Sequence, residues 1–530
     1  MKKLLALLLA VIMIFALAAC GPTEGSGEGE GGEEGPQYGG HLNISSNNIT
    51  GNLDPCNVGG IYHWNNLIWE SPLSRNADGT VAPGVCNFEL SEDQLTLKLW
   101  VREGIKFHDG SLVEIDDVVA SMLRKGHKSP KQYVIDMLAE QPTVKDGVAT
   151  FKFKTYSEKT MYYIAAVRTL HAVLPKEFVE KYPGNAASPK KFNVDPEDAI
   201  GTGPYKVDSE RDGEWLKLVR FDGYVKSDAS LTGAAGPKNA YFDSVTFVNR
   251  TDGTAAIIQV LANDLDVIDN SLEGYETQFE MNNLSQTKMT GTKSQYLLFN
   301  QVNQQNQVHD DVNLRKAICA ALDFEELNEH LWGSTWKLGG APALDDAYYL
   351  DNWDKADYMG KANLTLAQQY LAKSNYKGEE IYFLTEDANL ATLVKNYLEA
   401  AGMKVKADVK TDSAGALLDA ANYWNFTFTR VSIGNTPSTL VTTQYERGWV
   451  SAEKDSLVAT IASTIPGSKD YMDAWKDLAE IWVDDCAAVF IGHDYSIWTH
   501  HKDLVVTYEG TDIYIWNWYW KNPAEHAEKK

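Results

Sequence analysis

Leu99-Trp100-Val101-Arg102-Glu103-Gly104-Ile105-Lys106-Phe107-His108-Asp109-Gly110, with Glu114-Ile115-Asp116-Asp117-Val118-Val119 close behind, packs a strand, a turn and a helix into one short stretch. Leu95, Leu97, Leu99 and Val101 alternate with Thr96, Lys98 and Trp100, the pattern of a strand buried on one face. His108-Asp109-Gly110 carries turn chemistry. Between Glu114 and Arg124, Ile115, Val118, Val119 and Met122 fall at helical spacing. The period of the apolar pattern therefore changes across the turn, which marks an α/β chain.

The same alternation continues in both directions. Upstream, His41, Asn43 and Ser45 alternate with Leu42 and Ile44 in a first strand, and a helix is expected around Tyr62 to Trp69. Downstream, strands are expected at Val148–Lys154, Tyr205–Val207, Trp215–Arg220 and Phe242–Asn249, with a helix at Gly253–Ala262. The apolar run Tyr296-Leu297-Leu298-Phe299 meets a Gln/Asn-rich loop at 301–307, which marks a crossover near Gln295 to Asn300. Beyond it, helices at Val312–Leu322, Leu364–Leu371, Ala391–Ala401 and Asp473–Val483 interleave with strands at Glu380–Leu384, Lys404–Val409, Asn425–Val431 and Ala488–Ile491. Strand, helix, strand in sequence points to parallel pairing with right-handed crossovers. A last strand is expected at Ile513–Trp520, where Tyr514, Trp516, Trp518 and Trp520 recur at period two.

Composition bounds the function. The 530 residues exceed one compact core, and a net charge of -25 disfavours nucleic acid and anionic membrane surfaces as partners. At the N-terminus, Lys2 and Lys3 precede an apolar segment, Leu4 to Leu17, and the small-residue site Leu17-Ala18-Ala19-Cys20-Gly21. That is an export signal, residues 1–19. Gly21 to Pro36 holds seven Gly and five Glu and nothing that could be buried, so residues 20–36 read as a flexible, self-repelling tether. Apart from Cys20 the cysteines are Cys56, Cys86, Cys319 and Cys486, widely spaced and without metal-ligand spacing. A Cys56–Cys86 disulfide and free buried thiols are both compatible with this spacing.

Four blocks resemble a known family. The block from Leu99 to Gly110 with Glu114 to Val119 is similar to a signature strand, turn and helix. Ile200-Gly201-Thr202-Gly203-Pro204-Tyr205 matches the family's turn. Leu298-Phe299-Asn300 with Asp311 to Ile318, and then Ala321-Leu322-Asp323, match the strand and helix that open a second lobe. Leu17-Ala18-Ala19-Cys20 resembles the lipobox of bacterial lipoproteins, in which the cysteine is lipidated. Over residues 38–520 the chain is thus similar to family 5 of the extracellular solute-binding proteins, which serve peptide and nickel ABC importers.

The resemblance implies an α/β, two-lobed periplasmic-binding-protein fold of the cluster C kind, with mixed sheets and a hinge. On that pattern lobe I is residues 37–297 with an inserted subdomain at about 73–190, lobe II is 298–491, and residues 492–530 return to lobe I. It also implies a ligand held between the lobes, an ABC permease as partner, attachment to the membrane through the Cys20 lipid alone, a monomer, and an extracytoplasmic location at the bacterial surface or in the periplasm. No enzyme activity, cofactor or metal is expected.

The candidate chemistry is that of a binding site. His108-Asp109 next to Gly is a capped turn before it is a metal pair. Gly201-Thr202-Gly203 lacks the Lys-Ser/Thr of a phosphate loop, and Pro204 removes a donor. No Gly-x-Ser-x-Gly or His-Glu-x-x-His motif is present. With 15 Trp and 26 Tyr, aromatic walls are plausible at a closing cleft, although most such rings serve a core. Trp64, Trp336 and Trp498 are the aromatic candidates; Asn47, Arg430, Ser432 and Asn435 are the polar ones. Peptide-binding members commonly carry an acid near Arg430 to pair the peptide ammonium, yet Phe426 to Tyr445 contains no Asp or Glu, and Arg430 is its one charge. Peptide is the first expectation for the ligand, oligosaccharide the second, and a surface glycoside hydrolase the alternative from another class.

Overall fold

The computed structural model describes residues 35–46, 53–55, 63–125, 130–165, 171–184, 194–250, 252–272, 274–301, 303, 305–327, 337–338, 356–410, 423–432, 449, 451–464, 468–509 and 512–528. Cys20, Asn47, Cys56, Trp336 and Asn435 lie outside them.

The first described elements are β1 (His41–Ser46) and a single helical turn, α1 (Asn65–Ile68). The chain then builds a separate four-stranded antiparallel sheet from β2 (Cys86–Leu90), β3 (Thr96–Val101), β4 (Thr143–Lys145) and β5 (Val148–Lys152). The inward residues Leu97, Leu99, Ala149 and Phe151 pack with Phe107, Val118 and Met122, so the helix α2 (Ile115–Leu123) covers this sheet. Its start is fixed by the Glu114 backbone N–H, which donates to Asp117 Oδ2 at 2.8 Å.

The chain then returns through β6 (Tyr205–Arg211), β7 (Trp215–Arg220), β8 (Ser244–Asn249), α3 (Gly253–Leu261) and β9 (Val267–Ile268). Strand β10 (Leu284–Phe299) leaves this region, followed by α4 (Val312–Ala321), β11 (Lys337–Leu338), α5 (Leu364–Lys373), β12 (Glu380–Thr385), α6 (Ala388–Ala400), β13 (Lys404–Val409), β14 (Phe426–Ser432), α7 (Ala452–Ser463) and α8 (Lys469–Asp485). Strand β15 (Ala488–His501) comes back. One mixed sheet joins them in the order β13-β12-β14-β10-β15-β9-β1-β8-β7-β6, with β11 alongside β15. The parallel pairs β12–β13 and β1–β8 flank the antiparallel centre.

Burial divides this sheet in two. Leu42, Ile44, Trp64, Trp69, Tyr205, Phe242, Met289, Trp498, Trp516, Trp518 and Trp520 form one core. Past the middle of β10 the residues belong elsewhere: Leu297 and Phe299 pack with Leu314, Ile318, Phe383 and Val394, while Tyr296 and Leu298 pack on the opposite face with Trp475 and Trp482. This end of the sheet is covered on both faces, which is why its strand reads as an unbroken apolar run.

The expected final strand is a correction. Asp512–Ile513 and Tyr519–Trp520 are two-residue strands, and Ile515–Asn517 between them is a 3₁₀ turn. Among the described residues only Leu504–Val505 and Tyr508–Glu509 pair with these ends, and none supplies a ladder to the middle. Trp516, Trp518 and Trp520 all enter the first core, and the indoles of Trp518 and Trp520 donate to Thr507 O and His41 O at 2.9 Å.

Candidate functional site

The two cores meet along β10 and β15. These strands pair from Leu284–His501 to Leu298–Ala488, but the ladder shifts register between Thr290 and Ser294 and again between Gln295 and Tyr296. The break falls where the chain passes from one core to the other. On the outer side of β10, Gln295 pairs with Arg430 and Lys293 with Ser432, so β14 ends against the irregular stretch. On the far side of β15, Lys337 pairs with His493. Backbone register thus brings Arg430 and Ser432 to the join between the cores.

The two described tryptophan candidates lie inside the first core. Trp64 is 0% and Trp498 2% exposed. Trp498 meets Trp518 edge-on at 5.6 Å and His63 at 5.1 Å, and its indole donates to Ser496 Oγ at 3.0 Å. Neither ring offers a face to solvent. Desolvation pushes the His63 imidazole down to about 4, so it is neutral at pH 7.

The two most distinctive sequence motifs turn out to hold each other. The His108 N–H donates to Gly201 O at 3.0 Å, the Gly201 N–H donates to His108 Nδ1 at 3.2 Å, and His108 Nε2 lies 3.1 Å from Gly203 O. A carbonyl only accepts, so the proton sits on Nε2 and the ring is neutral. Its pKa is pushed down to about 4, chiefly by burial. Gly201 and Gly203 are required by close approach: a Cβ there would stand 2.0 Å from Ile68 O and 2.3 Å from Leu67 O of α1. These residues therefore tie the small sheet to the first core.

A family model for the bacterial extracellular solute-binding proteins, family 5, matches residues 80–451, which includes His108, Gly201, Gly203 and strand β10. The chain belongs to that family. It is 25% identical over 529 residues to the oligopeptide-binding protein AppA of Bacillus subtilis, covering 90% of this chain and 92% of AppA. The structure of the ABC transporter substrate-binding protein CtaP from Listeria monocytogenes superimposes with a TM-score of 0.74 at 18% identity, over 92% of this chain and 100% of that one. The structure of AppA in complex with a nonapeptide superimposes with a TM-score of 0.61 at 20% identity, over 92% and 99%. The two-lobed fold expected from the resemblance is thereby shown, and the relatives are solute-binding proteins, not enzymes. Among the described residues no helix is long and apolar enough to cross a membrane, and no cluster of three His, Cys, Asp or Glu side chains stands ready for a metal ion.

In this family-5 protein the segment before β10 buries acids that sequence reasoning missed. Asp54 forms a two-pronged pair with Arg124, at 2.6 and 2.7 Å, where both side chains are almost fully enclosed. Glu70 accepts from Lys238 at 2.7 Å and from Tyr224 at 3.0 Å. Asp269 accepts from Ser45 at 3.1 Å, with Arg250 at 3.7 Å. Each acid already has a cation beside it, as burial demands. The partners are 70 and 168 positions apart for the first two pairs, and no local pattern announces them.

Two cavities lie away from the join. One, beside Glu70, Lys238, Trp69 and Trp516, offers about 30 Å³, room for water and not for a peptide. The other is an open groove of about 690 Å³ on the small sheet, lined by Trp100, Glu114, Ile115 and Val148.

Proposed function

We propose that this protein is a lipid-anchored receptor that captures peptides between its two lobes and hands them to an ABC permease. The carrying observation is the pair of cores joined through the irregular stretch of β10 and β15, in a chain of family 5. A join with a broken ladder is where two rigid bodies can rotate about a ligand. The AppA relative is named for oligopeptide binding, and its structure holds a nonapeptide. Leader, Cys20 and acidic tether fit a chain exported and fastened by lipid, with the permease in the same membrane.

One observation favours a second ligand class. Phe426 to Tyr445 lacks an acid, and the buried acids Asp54, Glu70 and Asp269 each have a cationic partner, so a peptide ammonium finds no unclaimed anion among them. A neutral oligosaccharide needs none.

Calorimetry with free-amine peptides of three to nine residues, their N-acetylated forms and neutral oligosaccharides separates the readings. Peptide binding is expected, with compaction in small-angle scattering as the lobes close; binding of sugars with no response to any peptide would overturn it. Cys20→Ser should move the protein from membrane to soluble fraction, and retention in the membrane would sink the lipid anchor.

A further inference from the structure

Two thiols face each other in the second core. Cys319, on α4, and Cys486, which ends α8, are both 0% exposed, and their sulfurs are 3.8 Å apart. A disulfide needs about 2.05 Å between sulfurs, so at this distance the two are free thiols in contact and not yet bonded. The backbone is arranged around this meeting. Cys486 has φ 44° and ψ 48°, the left-handed conformation that at a helix end is usually left to glycine. Here it carries a side chain, aimed at Cys319.

The neighbouring hydrogen bonds hold the same corner. Arg315, one turn before Cys319 on α4, donates from Nε to Cys486 O at 3.1 Å and from Nη2 to Asp485 O at 2.6 Å. The Tyr358 hydroxyl donates to Val483 O at 2.8 Å. The two sulfurs are therefore presented by backbones that are already fastened together. Burial pushes the Cys319 thiol well up. At Cys486 burial acts in the same direction, but in the folded core the Cys319 thiol and the Arg315 guanidinium outweigh it and lower its pKa.

We propose that Cys319 and Cys486 form a disulfide, made by exchange with a disulfide-bearing oxidant such as glutathione disulfide or a thiol–disulfide oxidoreductase while the chain folds. The Cys486 thiolate attacks one oxidant sulfur, giving a mixed disulfide and releasing the other oxidant sulfur as a thiol. Cys319 then gives up its proton and attacks the Cys486 sulfur, expelling the second oxidant thiol. Two protein thiols and one oxidant disulfide become one protein disulfide and two oxidant thiols. Because both sulfurs are enclosed in the finished core, exchange belongs to folding, and the bond once made is shielded from reduction. It would link positions 167 apart and fasten α4 to the root of β15, which starts at Ala488, so the second-lobe end of the join is held firm.

The occasion for oxidation rests on the export reading above, but the pairing can be tested without it. The full chain, reduced and denatured, is refolded in glutathione buffers of increasing oxidising strength, alkylated under denaturing conditions and mapped by peptide mass. A Cys319–Cys486 linked peptide, lighter by two hydrogens than its parts, is expected, with a melting temperature roughly 5 °C or more above that of the reduced protein. Cys319→Ser and Cys486→Ser should each remove both effects. Full alkylation of both cysteines after oxidative refolding, or linkage of either to another cysteine, overturns the proposal, and the map of the unaltered protein decides this even if a serine variant folds poorly. Chain retained in the cytoplasm with its leader intact would count against the export reading alone.

Discussion

At Gly201 and Gly203 the chain runs so close to α1 that even a methyl group has no room, and three hydrogen bonds to His108 fix the approach. Between Thr290 and Ser294 the ladder of β10 and β15 loses register. Both places join separately packed bodies. The first is locked by contacts that leave no alternative arrangement, and the second keeps continuity of the chain while giving up regular pairing. A solute-binding protein needs both, since one lobe has to be rigid for the other to move against it. Changes at the clasp should therefore act on stability, and changes at the join on binding.

The largest effect is expected from Gly203→Ala and Gly201→Ala. The clash is with backbone carbonyls, which cannot rotate away, so a loss of about 4 kcal/mol or more in urea unfolding is expected. Gly147→Ala is the control: its φ is +76° but nothing lies within 4 Å, so only backbone strain of about 1 kcal/mol applies. Equal losses at Gly147 and Gly203 would show that the clasp is not tightly packed.

Trp64→Ala comes next. Its ring is wholly inside the first core, and an excavated tryptophan costs about 3–5 kcal/mol. Thermal denaturation should register this in the absence of any ligand. A variant as stable as the parent would mean that the ring is spared core packing and is available to a ligand.

Acid should loosen the clasp before it unfolds the rest. His108 titrates near 4 in the folded chain and near 6.5 when unfolded, so between those values the unfolded state binds the extra proton. Stability from this group is complete above pH 6.5 and falls as the pH drops towards 4, by up to about 3 kcal/mol. His108→Gln should flatten that part of the profile. An unchanged slope in the variant would assign the acid sensitivity to other groups, His63 first among them.

The strand and helix that flank His108 were legible in the sequence, its contact with Gly201 and Gly203 was not, and the join was only half so, for one physical reason. Leu95 to Val101 and Glu114 to Arg124 each bury one face, and burial writes a period into the residues. Lys404–Val409 was readable to its ends in the same way. In β10 only Tyr296–Phe299 was recognised, and in β15 only Ala488–Ile491, because those ends are buried on both faces. The remainder, from Leu284 to Gln295 and from Gly492 to His501, is largely polar and is held in the sheet by pairing to the other strand, which leaves no local signature. The ligand candidates divide similarly. Trp64 and Trp498 carry the composition of a cleft wall yet serve the core, and the ion pairs of Asp54, Glu70 and Asp269 arise from tertiary placement alone.

The smallest stability effect is expected at the join itself, from Arg430→Gln. Position 430 is paired through backbone bonds to Gln295 in the ladder, and a glutamine keeps those bonds and much of the side-chain length, so the unfolding free energy should change by less than about 0.5 kcal/mol. Binding is another matter. If Arg430 receives a peptide carboxylate, the loss of a charge-assisted, two-pronged contact should cost about 1.5–3 kcal/mol, a weakening of roughly ten- to a hundredfold. A C-terminally amidated peptide should then bind parent and variant with nearly equal affinity, because the contact is missing in both. The opposite outcome, a variant that loses several kcal/mol of stability and binds as before, would place Arg430 with the protein's own acids and make the join as tightly built as the clasp.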